Sequence, residues 1–228
     1  EKIKEGLTTS QGHITLNRTT VGRLLLKNTE YRLVETNAPS GYELTAISFI
    51  IDEYGTVNNV HTISGYSGSV SAEGSTITVV DEKIDLSIDK QDFDTKTTIT
   101  NRGNAQFTVT GEFVDGTTSK TVTSDNMSAL TGQIIAGHTY TMEETKAPEG
   151  YELAAKFTFK VDQYGMINHI NGKKVAPIQD SDYVGSDHDQ FIVRDKPITI
   201  QLEKQDLEGH AIETDNSYAI FKVSGTFA

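Results

Sequence analysis

The chain has 228 residues, a net charge of −12 at neutral pH, 36% hydrophobic and 23% charged residues, and no cysteine. This is a globular composition with room for one or two cores, and it excludes disulfides and thiolate metal sites. The acid excess argues against nucleic acid and anionic membrane surfaces as partners, and no apolar run is long enough for a membrane helix.

Thr, Gly, Val and Ile, with only four Pro, favour short strands over long helices. The chain begins at Glu1 in mid-pattern, with no signal peptide, sorting tail or lipid-anchor motif in view, as expected of a segment excised from something larger.

In chain order, the first strong signal is Tyr31-Arg-Leu-Val-Glu35-Thr-Asn-Ala-Pro39-Ser-Gly41-Tyr42-Glu-Leu44. An alternating strand with Ile47, Phe49 and Ile51 follows, then a turn at Tyr54-Gly55, and later a strand in which Ile77 and Val79 lead to Asp81. Next, Ile84, Leu86 and Ile88 alternate up to Lys90, and Phe107-Thr-Val109-Thr-Gly111-Glu-Phe113 forms a further strand.

The first box then returns as Tyr140-Thr-Met-Glu-Glu144-Thr-Lys-Ala-Pro148-Glu-Gly150-Tyr151-Glu-Leu153. Phe157, Phe159 and Val161 follow it, then the turn Tyr164-Gly165, and a last strand in which Phe191 and Val193 lead to Asp195. The opening pattern repeats as Ile198-Thr-Ile200-Gln-Leu202-Glu-Lys204-Gln-Asp206, and the Phe107–Phe113 strand repeats as Phe221–Phe227.

These repeats set the organisation. One complete unit runs over residues 83–196, about 113 residues from opening to closing strand, a normal domain size. Residues 1–82 hold the later strands of a second copy and 197–228 the opening strands of one. Together the two pieces make about one further domain, so 197–228 is expected to complete 1–82, in trans or in cis.

Alternate residues of a strand share a face, and on that rule six ionisable groups end apolar stripes. Lys90, Glu144 and Asp195 do so in the complete unit; Lys204, Glu35 and Asp81 do so in the pieces, while Glu143 points to solvent. Strand ends fraying into water would explain any one of them, and a buried salt bridge would explain the whole pattern without a reaction.

The box Tyr-x-x-x-Glu-Thr-x-Ala-Pro-x-Gly-Tyr, with its upstream Lys-x-Asp and downstream Val-x-Asp strands, resembles the collagen-adhesin B-type (Cna-B/SpaA-like) isopeptide-forming domains of Gram-positive surface adhesins and pilins. The resemblance implies an all-β fold of tandem immunoglobulin-like (prealbumin-like) antiparallel sandwiches, one complete and one split across the chain ends. It implies an isopeptide bond from Lys90 to Asp195 assisted by Glu144, and from Lys204 to Asp81 assisted by Glu35. It also implies a place on the Gram-positive cell surface or cell wall.

The expected function is a structural stalk or pilus segment, with single-turnover autocatalysis rather than enzyme turnover. The alternative is an adhesin module that recognises a host or cell-wall ligand. Expected partners are neighbouring domains or copies of the same protein joined by strand complementation.

No cofactor is expected. The acidic stretch Asp180–Asp189 offers oxygens for Ca²⁺ but lacks EF-hand spacing, and is read as a solvated loop. The histidines at 13, 61, 138, 169, 188 and 210 show no paired metal spacing and are read as surface residues. Asn17-Arg-Thr19 and Asn126-Met-Ser128 fit a glycosylation sequon too short to carry weight.

Overall fold

A computed structural model describes residues 12–179, 181–212 and 220–226. The chain divides into two compact units, residues 1–82 and 83–228, and in both nearly all the regular elements among the described residues are strands.

In the first unit the short helix α1 (Arg18–Val21) starts at Asn17, whose Oδ1 accepts the N–H groups of Thr19 and Thr20. The Thr20 hydroxyl accepts the Asn17 N–H in return, so Asn17 serves as a helix cap. Strands β1 (Thr29–Val34), β2 (Ala46–Ile51) and β3 (Val57–Thr62) form an antiparallel sheet in that order.

Pairing of Tyr31 with Phe49 and of Leu33 with Ile47 puts the box against the following strand. The Tyr31 and Phe49 rings stack at 5.8 Å between centroids. A separate hairpin joins β4 (Ser69–Glu73) and β5 (Thr76–Val80), the strand that leads to Asp81.

The second unit is a two-sheet sandwich. Its strands are β6 (Ser87–Asp92), β7 (Gln106–Thr110), β8 (Ser119–Thr123), β9 (Tyr140–Lys146), β10 (Phe157–Val161), β11 (Ile167–Ile170), β12 (Lys173–Lys174), β13 (Val184–Asp187) and β14 (Gln190–Asp195). The large sheet has the order β12-β11-β10-β9-β7-β8, the small one β13-β14-β6.

Ile84, Leu86, Ile88, Phe191 and Val193 from the small-sheet side meet Phe107, Val109, Tyr140, Met142, Phe157 and Phe159 from the large sheet in one buried cluster. Period-2 alternation produces this face: the β10 pattern runs buried, half-buried, buried, half-buried, buried. Tyr140 is buried whole because its hydroxyl is satisfied, donating to the Glu112 carbonyl at 2.7 Å and accepting the Ile135 N–H at 2.8 Å. Gly111 lies against that ring, and a Cβ there would run into it.

One pairing escaped sequence patterning, which anticipated mainly antiparallel strands. The unit's first strand and its last, β6 and β14, pair in parallel. Every other ladder between named strands is antiparallel. A parallel pair requires a long crossover, and here nearly the whole domain is that crossover.

The opening pattern at 197–228 behaves differently from its twin at 84–92. Its described residues form no strand, and Ile198, Ile200 and Leu202 stand 59%, 89% and 67% exposed, whereas Ile84 and Leu86 are buried. Phe227 of the repeated Phe strand lies outside the described residues.

Candidate functional site

Parallel register explains how a lysine on the first strand meets an aspartate on the last. Lys90 lies opposite Val193, and Asp195 comes two residues later on the same face, about 6.6 Å further along the ladder. That span matches the reach of an extended lysine side chain, so Nζ arrives at the Asp195 carboxyl. Lys90 Nζ contacts Asp195 Oδ1 as both hydrogen bond and ion pair.

The third member comes from the opposite sheet. Glu144 sits on β9 beside Phe107 of β7, and its Oε1 lies 2.8 Å from Lys90 Nζ. Its other oxygen, Oε2, accepts the Ala154 N–H at 2.6 Å, which fixes the carboxyl's orientation. The Phe107 ring centroid lies 5.4 Å from Nζ and forms one wall. The site therefore bridges the two sheets and holds all three ionisable groups out of water: Lys90 is 4% exposed, Glu144 5% and Asp195 1%.

This environment is expensive for charge. Burial pushes the Asp195 carboxyl up to about 6, against the opposing pull of Lys90 and with Glu144 adding to the rise. Two oxygens are poorly served. Asp195 Oδ2 has no hydrogen-bond partner, and Glu144 Oε1 faces the ammonium as an ion pair outside hydrogen-bond alignment. A buried amine and two buried acids, with an orphaned oxygen on the acid the amine touches, form an arrangement that condensation to a neutral amide would relieve.

The first unit assembles half of this constellation. Glu35 Oε2 accepts the Thr45 N–H at 3.1 Å, just as Glu144 accepts the N–H ten residues further on. The Thr45 hydroxyl donates to Asp81 Oδ1 at 2.9 Å, bringing the two acids to one residue. Gly68 permits the packing, since a Cβ there would lie 2.8 Å from Thr45 Oγ1 and 2.7 Å from the Val80 carbonyl oxygen. Burial raises the Glu35 carboxyl above its ordinary value, the Thr45 N–H opposes the rise and Asp81 adds to it. Lys204 is exposed, in a stretch without strand structure.

Other expectations meet the structure unevenly. Glu143 is exposed on the outer face of β9. Asp180 lies outside the described residues, and the carbonyls of Gln179, just before the acidic stretch, and of Asp182, within it, accept from the Arg194 guanidinium at 2.8 and 3.2 Å. Among the described residues no cluster of three or more His, Asp or Glu is arranged for a metal. Five histidines are exposed, but His169 on β11 is half-buried, because that strand packs inside the large sheet.

Sequence reasoning missed Arg194, which is 5% exposed although it alternates outward between Val193 and Asp195. Strand periodicity gives no sign of the loop that covers it. It also missed the link from Tyr151 Oη to Asp92 Oδ2, 2.9 Å long, although both residues stand inside repeated motifs.

Residues 84–174 match the family model of the SpaA prealbumin-like fold domain, a stretch that includes Lys90 and Glu144 and ends before Asp195. Among solved structures, a C-terminal fragment of the pilus adhesin SpaC from Lactobacillus rhamnosus GG is 23% identical over 80% of this chain and 82% of that one, with a TM-score of 0.37. The open conformation of SpaC is 24% identical over 76% of this chain and 25% of that one, also at 0.37. The shaft pilin SpaA of the same organism is 16% identical over 76% and 66%, at 0.29. No curated protein matches the chain. Over residues 84–174, the sandwich that carries Lys90 and Glu144 is thus similar to the SpaA prealbumin-like fold domain.

Proposed function

We propose that the chain is a load-bearing segment of a stalk or pilus on a Gram-positive cell surface, and that its complete sandwich closes itself with an amide bond between Lys90 and Asp195. The observation that carries this reading is the contact of Lys90 Nζ with Asp195, beside Glu144 at 2.8 Å, in a site from which water is nearly excluded.

The chemistry balances without a cofactor. Lys90 gives up one proton and Asp195 takes one, since burial disfavours both charges. The neutral amine attacks Cγ of Asp195, forming the C–N bond. Glu144 then carries a proton from the nitrogen to the departing oxygen, the C–O bond breaks, and one water leaves. Ammonium plus carboxylate become amide plus water, and Glu144 ends as it began. Folding supplies the proximity, and because both reactants belong to the chain, the reaction happens once.

The bond would span 105 residues and, by loop-closure entropy, add about 4.7 kcal/mol. Tying the first strand to the last would stop the sandwich from opening at the edge where tension pulls, and reductants would not affect it. Intact mass under denaturing conditions tests the reading: the wild-type chain should weigh one water less than its sequence, and Lys90→Ala should not. A full-weight wild type would refute it.

A second reading concerns assembly, and it is favoured by the acids gathered on Thr45. Among the described residues β5 pairs only with β4, whereas its counterpart β14 has a parallel opening strand beside it. The exposed Ile198, Ile200 and Leu202 carry the same pattern as that opening strand. Residues 197–228 complete a unit of the 1–82 kind, in the same chain or another copy, and join Lys204 to Asp81. On a denaturing gel a ladder that Lys204→Ala abolishes indicates linkage between molecules, and a fast-migrating monomer indicates closure within one. An ordinary monomer with no mass loss beyond the Lys90 bond would count against both.

A further inference from the structure

The Lys90 reaction needs its strand held in register before any bond exists, and the Tyr151–Asp92 link stands where such a hold would act. Asp92 ends β6, two residues past Lys90 and on the same face. It lies opposite Asp195 in the parallel ladder, and the Phe93 N–H donates to the Asp195 carbonyl at 2.8 Å.

Its Oδ1 accepts the N–H groups of Asp94 and Thr95 at 2.8 and 2.9 Å, which turns the chain sharply out of the strand. Oδ2 is left to accept the Tyr151 hydroxyl. Burial pulls the Asp92 carboxyl upward, but the Thr95 N–H and the Tyr151 hydroxyl outweigh it and hold the group below its ordinary value.

Tyr151 is the last aromatic of the box that carries Glu144, and the turn before it is closed by its N–H to the Pro148 carbonyl at 3.2 Å. It also forms a bridge with Pro197, two residues past Asp195, flanked by Glu152 N–H to the Lys196 carbonyl at 2.9 Å and Ile198 N–H to the Gly150 carbonyl at 2.9 Å. One side chain thus touches the lysine strand while its backbone grips the aspartate strand and continues the glutamate segment.

Resting on the proposed Lys90–Asp195 condensation, we infer that Tyr151 is a positioning residue for it: through its hydroxyl bond to Asp92 it sets the register of the lysine strand against the aspartate strand while the site is still unreacted. It touches none of the reacting atoms. Once the amide forms, the covalent bond holds the same register and the hydroxyl becomes nearly redundant. That distinguishes it from an ordinary stabilising hydrogen bond, which would count equally before and after reaction.

The first unit contains the matching tyrosine, Tyr42, in the same turn on Pro39, its N–H 3.1 Å from that carbonyl. Asp206, the repeat counterpart of Asp92, already accepts the N–H groups of Glu208 and His210 in a similar turn.

The test is a time course on the full chain made by cell-free translation, quenched in denaturant and weighed intact. Tyr151→Phe, which removes one oxygen and leaves the ring, should lose its water roughly ten- to a hundredfold more slowly than wild type, the scale expected for a small misplacement of reactants. The condensed Tyr151→Phe product should then melt within a few degrees of condensed wild type.

An unchanged rate would overturn the inference. So would a slowed rate accompanied by an equally large melting loss in the condensed product, which would make Tyr151 merely structural. If wild type never loses water, the underlying condensation fails and the inference falls with it. If wild type condenses and Tyr151→Phe keeps pace, only the inference falls.

Discussion

The same box sits in two environments, and the contrast shows what takes its glutamate out of water. In the complete unit Tyr140 and Met142 are fully buried and lead to a Glu144 that is 5% exposed. In the first unit Tyr31, Leu33 and Glu35 are only half-buried along β1. The closing strands differ in the same direction: Phe191 and Val193 are fully buried, while Val79 is 39% exposed. What separates them is the neighbour on the closing strand, since β14 has β6 beside it and β5 has only its hairpin partner among the described residues. A box motif supplies an oriented carboxyl in both units, by an N–H ten residues downstream, but the opening strand supplies both the amine and the dry interior.

The sharpest way to break that contrast is to remove the amine. If the proposed amide forms, Lys90→Met should lower the melting temperature of the complete unit by about 20 °C or more, from loss of a bond worth about 4.7 kcal/mol together with a buried acid pair left uncompensated. Lys204→Met, at an exposed position, should leave that transition where it was. Calorimetry of both variants reads the difference.

Next in size, Glu144→Gln should slow water loss at Lys90 by about a hundredfold or more, the usual worth of a positioned proton carrier. Glu35→Gln should leave it untouched. Intact mass over time separates the two.

A pH series sharpens the comparison further. The Asp195 carboxyl is raised in the folded state to about 6 from 3.8, so its contribution to stability is fully present below pH 3.8 and is lost as pH rises through 6. In Lys90→Met the acid remains free and loses its cationic neighbour, so the melting temperature should climb as pH falls from 8 to 5. The condensed wild type, whose Asp195 no longer titrates, should lack this climb. Glu35, also raised, should give the first unit a weaker dependence of the same sign.

The smallest effect is expected at Thr45. Thr45→Ala, which makes that position like Ala154, removes the hydroxyl bond to Asp81 and should cost the first unit about 1 kcal/mol, a shift of a few degrees, with no change in the second.

Much of the site was legible because strand geometry repeats every two residues. Lys90, Glu144 and Asp195 each end a stripe that begins with Ile84, Tyr140 or Phe191, and alternation alone sends all three inward. The all-β class followed from the same alternation, and its prealbumin-like form from the family resemblance that the repeated box carries. Arg194 shows the limit. Alternation places it outward, and only the tertiary fold brings the Gln179 and Asp182 carbonyls onto its guanidinium. Ile198, Ile200 and Leu202 show the limit from the other side, since an inward-reading stripe remains exposed without a sheet to cover it.

By itself the sequence determined which residues face inward on each strand, because that depends only on the local pleat, and it determined the repeat that pairs each lysine with two acids. Only the tertiary structure decided that β6 and β14 run in parallel, that Lys90 therefore reaches two residues ahead to Asp195, and that Tyr151 spans to Asp92. Those facts depend on how strands about a hundred residues apart in the chain are brought side by side, a register set by the packing of two whole sheets that no local pattern encodes.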